Sequence, residues 1–245
     1  MANAGRSGIL HGVVFAPYVR KVRIVLAAKG IEHRHVSVMP GAMDAEFLAL
    51  SPLRKVPVWE EPPDFVLPDS SAICAYLERR CPSPPVYPAD PRAFASSLFW
   101  EEYADTRLVD ACEPIFYERV VRPHVLRQAG NEELVQRQLE EVVPPVFDQL
   151  ESLYLTPGRL RAADSPASAA GAAAGRAAAA IEISAIAIWS PIVNLEHVGI
   201  VVDPARWPRL AGFMEAMNAH PLVSPIIARE RSALGVRAAD EPDAS

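Results

Sequence analysis

The chain has 245 residues, 50% hydrophobic and 22% charged, enough for one large domain or two ordinary ones with a substantial core. A net charge of −6 is a poor match for nucleic acid or an anionic membrane, and no run of about 18 apolar residues is present to span one. Cys74, Cys81 and Cys112 are an odd number without a CxxC pair, which argues against a disulfide framework or a metal site and suits a reducing, cytoplasmic setting. The first residues lack the basic and apolar pattern of a secretory leader. Charge is unevenly spread. Through residue 83 there are 10 basic and 8 acidic residues, and beyond it 14 and 22, so a small anionic ligand would favour the first part.

In chain order, residues 8–15 (GILHGVVF) read as a short buried strand. Pro17 suits the first turn of a helix, Val19, Val22, Val25, Leu26 and Lys29 follow at helical spacing, and Gly30 is a C-cap. Residues 31–38 make a second strand, parallel to the first because a helix separates them. Residues 45–50 form a short helix. Residues 55–59 read as a strand interrupted by Pro57, then a turn at 62–64, and residues 65–67 complete a hairpin. Asp69 or Ser70 caps a helix over 71–80. The prolines at 82, 84, 85 and 88 form a stiff connector, and helices dominate beyond it.

Long helices are expected over about 94–119 and 132–155, the second kinked at Pro144 and Pro145. Residues 162–180 are mostly alanine and read as a surface insertion. Residues 183–193 are apolar on nearly all sides, as in a buried central helix, and two more helices follow over 208–218 and 222–234. The expected organisation is an α+β, thioredoxin-like domain with a mixed four-stranded sheet over 1–83 and a linker over 84–91. An all-helical domain over 92–236 and a polar tail over 237–245 complete it.

Three places could carry chemistry. If the bond before Pro57 is cis, Val56 turns its N–H and C=O outward to pair with a peptide as an added strand. Read alone, Pro57 is equally an edge-strand proline. Asp69 and Ser70, at a helix start, suit an amino-acid head group, with Ser70 and nearby amides facing a carboxylate and Asp69 an ammonium. A simple N-cap explains the same pair. The turn from Phe15 to Tyr18 could set helix amides beside a thiolate, though Pro17 has no N–H and Tyr18 is also an ordinary packing residue.

Their order is specific. Residues 17–23 (PYVRKVR), 29–31 (KGI), 47–48 (FL), 51–58 (SPLRKVPV), 69–73 (DSSAI) and 76–77 (YL) closely resemble the N-terminal domain of cytosolic glutathione transferases. Residues 100–105 (WEEYAD), 190–199 (SPIVNLEHVG), 206–208 (RWP) and 220–221 (HP) resemble their helical domain. The resemblance implies that Val56, before a cis Pro57, pairs with the cysteinyl backbone of glutathione. It implies that Asp69 and Ser70 bind the γ-glutamyl end and that Lys55 sits near the glycine carboxylate or lines the pocket's edge. A small hydrophobic electrophile would lie between the domains against Phe15, Tyr18, Tyr103, Arg107 and Phe116, and no metal is implied. A detoxifying homodimer is the corresponding expectation.

Two departures stand out. The position before PYVR, serine or cysteine in the relatives that this sequence most resembles, is Ala16. A thiol near pKa ~8.5 is only slightly ionised at neutral pH. Losing one donor to the thiolate costs on the order of 1.5–3 kcal/mol. No catalytic residue is therefore assigned, with Tyr18 the nearest hydroxyl. The reading is a transferase, with a glutathione- or ligand-binding protein of little turnover as the alternative and a purely structural module as a third. The second departure is the start of the buried helix, where Glu182 and Ala185 occupy the positions of a Ser/Thr-x-x-Asp box in relatives.

Overall fold

In the computed structural model, which describes residues 7–39, 41, 43–156 and 181–234, Pro17 and Gly30 bracket the first helix as their chemistry demands. Pro17 occupies the first turn, where a missing N–H costs nothing, and Gly30 takes the left-handed conformation at φ 62°. This helix, α1 (Pro17–Lys29), links β1 (Gly8–His11) to β2 (His33–Val36). Then come α2 (Ala45–Leu50), β3 (Val58–Glu61), β4 (Phe65–Pro68) and α3 (Ser70–Arg80). The sheet order is β2-β1-β3-β4, with β1 and β2 parallel and the other pairs antiparallel. Leu10, opposite His35 on one side and Trp59 on the other, is fully buried with Val58, and Val22, Leu26, Ile73 and Leu77 of α1 and α3 share the same core.

The expected thioredoxin-like order is present, but the strands are shorter than the apolar runs. The first ends at His11, and the second keeps only His33–Val36 of the eight residues expected. Residues 55–57 lie outside β3 altogether, because Pro57 has no N–H for the ladder and its bond to Val56 is cis.

The helical part begins with α4 (Pro91–Tyr103), whose first amides at Arg92 and Ala93 donate to the Asp90 carboxylate. A π-helical stretch (Ala104–Leu108) leads into α5 (Val109–Phe116) and a second one (Tyr117–Val125). Next are α6 (Glu132–Arg137), a π-helical Gln138–Val142, α7 (Val143–Gln149) and a π-helical Leu150–Tyr154. The interruption expected at Pro144 and Pro145 is a change of pitch just before them. Val143 is the last donor before two residues without N–H, and its amide reaches back five residues to Gln138.

Helix α8 (Ile183–His197) is the hub, packed on α1, α4 and α5, and α9 (Pro208–Ala219) and α10 (Ser224–Leu234) close the domain. All residues of α8 except Glu196 are buried, as its apolar surface on every side requires. Its N-cap, Glu182, contributes no side-chain cap; instead the Ile183 amide donates to the Val86 carbonyl of the connector. The alanine-rich 162–180 and the tail 237–245 lie outside the described residues.

The two parts are locked by a buried cation. Arg20 of α1 is fully buried, donates to the Glu230 carboxylate of α10 at 2.8 Å, and reaches Asn194 Oδ1 at 2.6 Å and the Ser190 carbonyl at 2.5 Å on α8. Arg23 adds a second contact to Glu230 at 2.8 Å. Burial works to raise the Glu230 pKa, but Arg20 and the His197 contact outweigh it and hold the carboxyl below the ordinary glutamate range.

Glu230→Gln leaves two guanidinium groups without their counter-charge, so it should lower the free energy of urea unfolding at pH 7 by about 3 kcal/mol. The wild-type advantage exists above the unfolded-state pKa of ~4.3 and is lost as pH falls through the lower folded value. The gap between the two proteins should therefore close below about pH 4. A gap at pH 7 under about 1 kcal/mol would mean that the pair is not what joins the two parts.

Candidate functional site

The turn after β1 sets the site. The Ala16 amide donates to the Val13 carbonyl at 3.1 Å, and the Ala16 carbonyl accepts the first bond of α1 from Arg20 at 2.9 Å. Ala16 is the N-cap of α1 with extended backbone, and its methyl caps nothing. The Phe15 carbonyl is held by Arg20 at 3.1 Å and by Asn194 Nδ2 at 3.2 Å, and Ser190 Oγ donates to the Pro17 carbonyl at 2.8 Å. The buried cation thus fixes this turn against α8.

On one side of the turn lies a polar cavity of about 230 Å3. Lys55, Val56, Pro57, Asp69 and Ser70 all line it, together with Tyr18. Val56 stands before a cis bond and outside β3, so its peptide groups lie beyond the paired strand. Asp69 has φ 94°, a conformation that costs a non-glycine residue about 1–3 kcal/mol. It accepts from the Ala72 amide at 3.0 Å, which caps α3 and leaves Ser70 buried in the first turn at the cavity wall. The opposite wall comes from the helical part, with Glu102, Asp105 and Thr106. Lys55 on one side and three carboxylates elsewhere give the cavity both signs of charge.

Beneath it a second buried network joins the domains. Lys21 Nζ donates to Glu101 at 3.0 Å, Asp105 at 2.5 Å and the Ser71 hydroxyl at 3.1 Å. Ser71 in turn donates to Asp105 at 3.0 Å. Burial alone would lower the Lys21 pKa; Glu101 and Asp105 overcome it and keep the ammonium charged. The Tyr18 hydroxyl donates to the Asp105 carbonyl at 2.7 Å. Burial, reinforced by Asp105 and Glu113, raises its pKa far above that of an ordinary phenol. Tyr18 therefore sits at the site as a neutral donor that is already engaged, which argues against it as the activator of a sulfur.

On the other side of the turn is an apolar cavity of about 420 Å3, lined by Ala16, Phe15 and Phe116 among others. The two phenyl rings pack 5.5 Å apart. Tyr103 and Arg107 line neither cavity, contrary to expectation. Tyr103 turns its hydroxyl to Gln149 at 2.5 Å and packs edge-on against Trp100, while Arg107 projects to solvent. Arg107 lies within the π-helical turn beginning at Ala104, which alters the facing that a regular helix would give it.

Glu113 of α5 was not anticipated, and it faces the apolar cavity. Its Oε1 accepts from Asn194 Nδ2 at 2.6 Å. Burial pushes its pKa up to about 7, against the Asn194 hydrogen bond and the Arg20 charge. The available signal was an acidic residue inside the otherwise apolar turn from Ala111 to Phe116. Among the described residues no cluster suited to a metal ion occurs.

Residues 10–85 match the family model of the glutathione S-transferase N-terminal domain. The chain is 31% identical over 106 residues to a probable glutathione S-transferase of Glycine max, covering 42% of this chain and 45% of that protein. It is 28% identical over 151 residues to a glutathione S-transferase of Triticum aestivum, covering 60% and 68%. The match to the soybean protein thus spans less than half of that relative. The human glutathione-S-transferase T1-1 structure superposes with a TM-score of 0.74 at 21% identity, over 98% of this chain and 93% of that one, a likeness of fold.

Glu113 also leaves a mark on stability. It ionises at about 7 when folded and near ~4.5 when unfolded, so it opposes folding increasingly as pH rises from about 4.5, in full above 7, and is neutral to it in stronger acid. Glu113→Gln keeps an acceptor for Asn194, and it should exceed the wild type in unfolding free energy at pH 8 by about 2–3 kcal/mol. Near pH 4.5 the difference should drop below about 0.5 kcal/mol. Equal stabilities across that range, followed by chemical unfolding, would remove the raised carboxyl.

Proposed function

We propose that this chain, which belongs to the cytosolic glutathione transferase family through its N-terminal domain, binds glutathione in the polar cavity and transfers its sulfur to a small hydrophobic electrophile in the apolar one. The observation that carries the reading is convergence. Lys55, Val56 and Pro57 come from the loop before β3, Asp69 and Ser70 from the start of α3, and they meet around one cavity. In this reading the Val56 peptide pairs with the cysteinyl backbone, Asp69 and Ser70 take the γ-glutamyl end, and Lys55 faces the glycine carboxylate. The cavity's mixed charge fits a ligand with an ammonium and two carboxylates. Glutathione supplies the nucleophilic thiol. The chain supplies position and the start of α1, while Phe15 and Phe116 keep water from the acceptor side. The protein works as a cytoplasmic homodimer in this proposal.

A second reading has its own observation. Ala16 gives no hydroxyl, Pro17 has no N–H, and the Tyr18 hydroxyl is committed to Asp105. These favour a protein that binds glutathione with little turnover. Retention on immobilised glutathione and elution by free glutathione test both readings at once, and conjugation of a chloronitroarene separates them. Binding without turnover across several such electrophiles would discard the transferase.

Asp69→Ala should weaken glutathione binding by roughly tenfold or more in calorimetry, since a hydrogen bond to a charged group is worth about 1.5–3 kcal/mol. Ala16→Ser should raise kcat/KM by about tenfold and move the thiol ionisation seen in its pH profile down by about one unit. An unmoved profile would mean that another group already governs the sulfur.

A further inference from the structure

We infer that the 420 Å3 cavity takes an apolar ligand bearing a cationic amine, and that the Glu113 carboxylate selects it. The inference narrows the acceptor of the transferase reading and rests on it for that chemistry, the electrophilic centre being a part of the ligand separate from its ammonium, but the binding step stands on the cavity alone. Val13, Met39, Val121 and Leu126 extend the apolar wall formed by the two phenylalanines, and the volume is that of an ordinary small-molecule site. Glu113 is the one charged side chain among the described lining residues.

Its orientation is imposed from outside the cavity. Asn194 Oδ1 accepts from Arg20 at 2.6 Å, which commits Asn194 Nδ2 to donate to Glu113 Oε1 at 2.6 Å and to the Phe15 carbonyl at 3.2 Å. Arg20 pairs directly with Glu230 instead. Among the described residues no salt bridge involves Glu113. The groups facing it are Arg20 of α1 and Asn194 of α8, with Tyr18 of α1 and Cys112 of its own helix close enough to interact.

A half-buried carboxylate without an ion-pair partner in apolar surroundings is costly, and its partly protonated state near neutrality reflects that cost. A ligand that brings an ammonium into this wall supplies the missing partner, while its aromatic or aliphatic body covers the apolar surface. A neutral ligand of the same shape gains only the second effect. A ligand carboxylate would set like charges against each other. The cavity is therefore shaped for apolar amines rather than for hydrophobic molecules in general.

The test uses three probes of one shape, 1-naphthylmethylamine, 1-naphthalenemethanol and 1-naphthoic acid, titrated at pH 8 without glutathione. Working without glutathione keeps a failure here distinct from a failure to bind that peptide. The amine should bind about tenfold more tightly than the alcohol, and the acid most weakly. In Glu113→Gln, whose melting curve and circular dichroism establish that it is folded, amine and alcohol should bind alike. Equal affinities in the wild type, tighter binding of the acid, or an amine preference that survives in the variant would overturn the inference.

Discussion

One buried guanidinium organises this molecule. Arg20 lies a single turn into α1, fully buried, and it would carry a severe desolvation cost without partners. It meets that cost with partners from three directions: Glu230 on α10, Ser190 and Asn194 on α8, and the carbonyl of Phe15 just before its own helix. A carboxylate alone would have joined two helices. The added contacts to main-chain oxygens and to Asn194 do more, because they immobilise the turn that separates the two cavities. Lys21 repeats the device one residue later toward Glu101 and Asp105. Consecutive residues of a helix point about 100° apart, so the two cations grip different parts of the helical domain.

This rigidity bears directly on the chemistry. The polar cavity is assembled from the loop before β3, the start of α3 and the π-helical turn after α4, which are parts of both domains. Its walls can stay in register only if the domains do. Asp69 shows the same dependence on a small scale. Its φ of 94° is unfavourable for any side chain, and it persists where the Ala72 amide holds the carboxylate and α3 holds Ala72. At Ala16 the scaffold offers a methyl group, so the sulfur of the proposed ligand would find no side-chain donor there. In the proposed reading, the framework for holding glutathione is thus better furnished than the framework for activating it.

Much of this was legible in the sequence because it is local. Pro17, Gly30, Asp69 and the all-apolar run of α8 each act through backbone dihedrals, capping or solvent exclusion within a few residues. The helix bounds followed within a few positions. The cavity residues Lys55, Val56, Pro57, Asp69 and Ser70 were singled out by order and type, and Phe15 and Phe116 were placed near the acceptor side. Strand ends were not legible. An apolar residue such as Val13 is buried equally well in a loop, and only pairing with a neighbour decides where a strand stops.

The amino-acid order by itself determined the two-part architecture, the β-α-β-α-β-β-α course of the first part and the central burial of α8, because periodicity and capping act over one or two turns. Tertiary structure alone decided the facing of residues around Ala104, where Tyr103 at the end of α4 turns to Gln149 and Arg107, in the π-helical turn that follows, is exposed to solvent. It also turned Tyr18 to Asp105 and made Glu113 the charged wall of an apolar cavity. Those outcomes depend on partners 46 to 87 positions away, and a side chain's chemistry does not state which distant group it will meet. The spacing of the motif specified which residues meet around the polar cavity, and the fold decided what surrounds the turn at Ala16 between the two cavities.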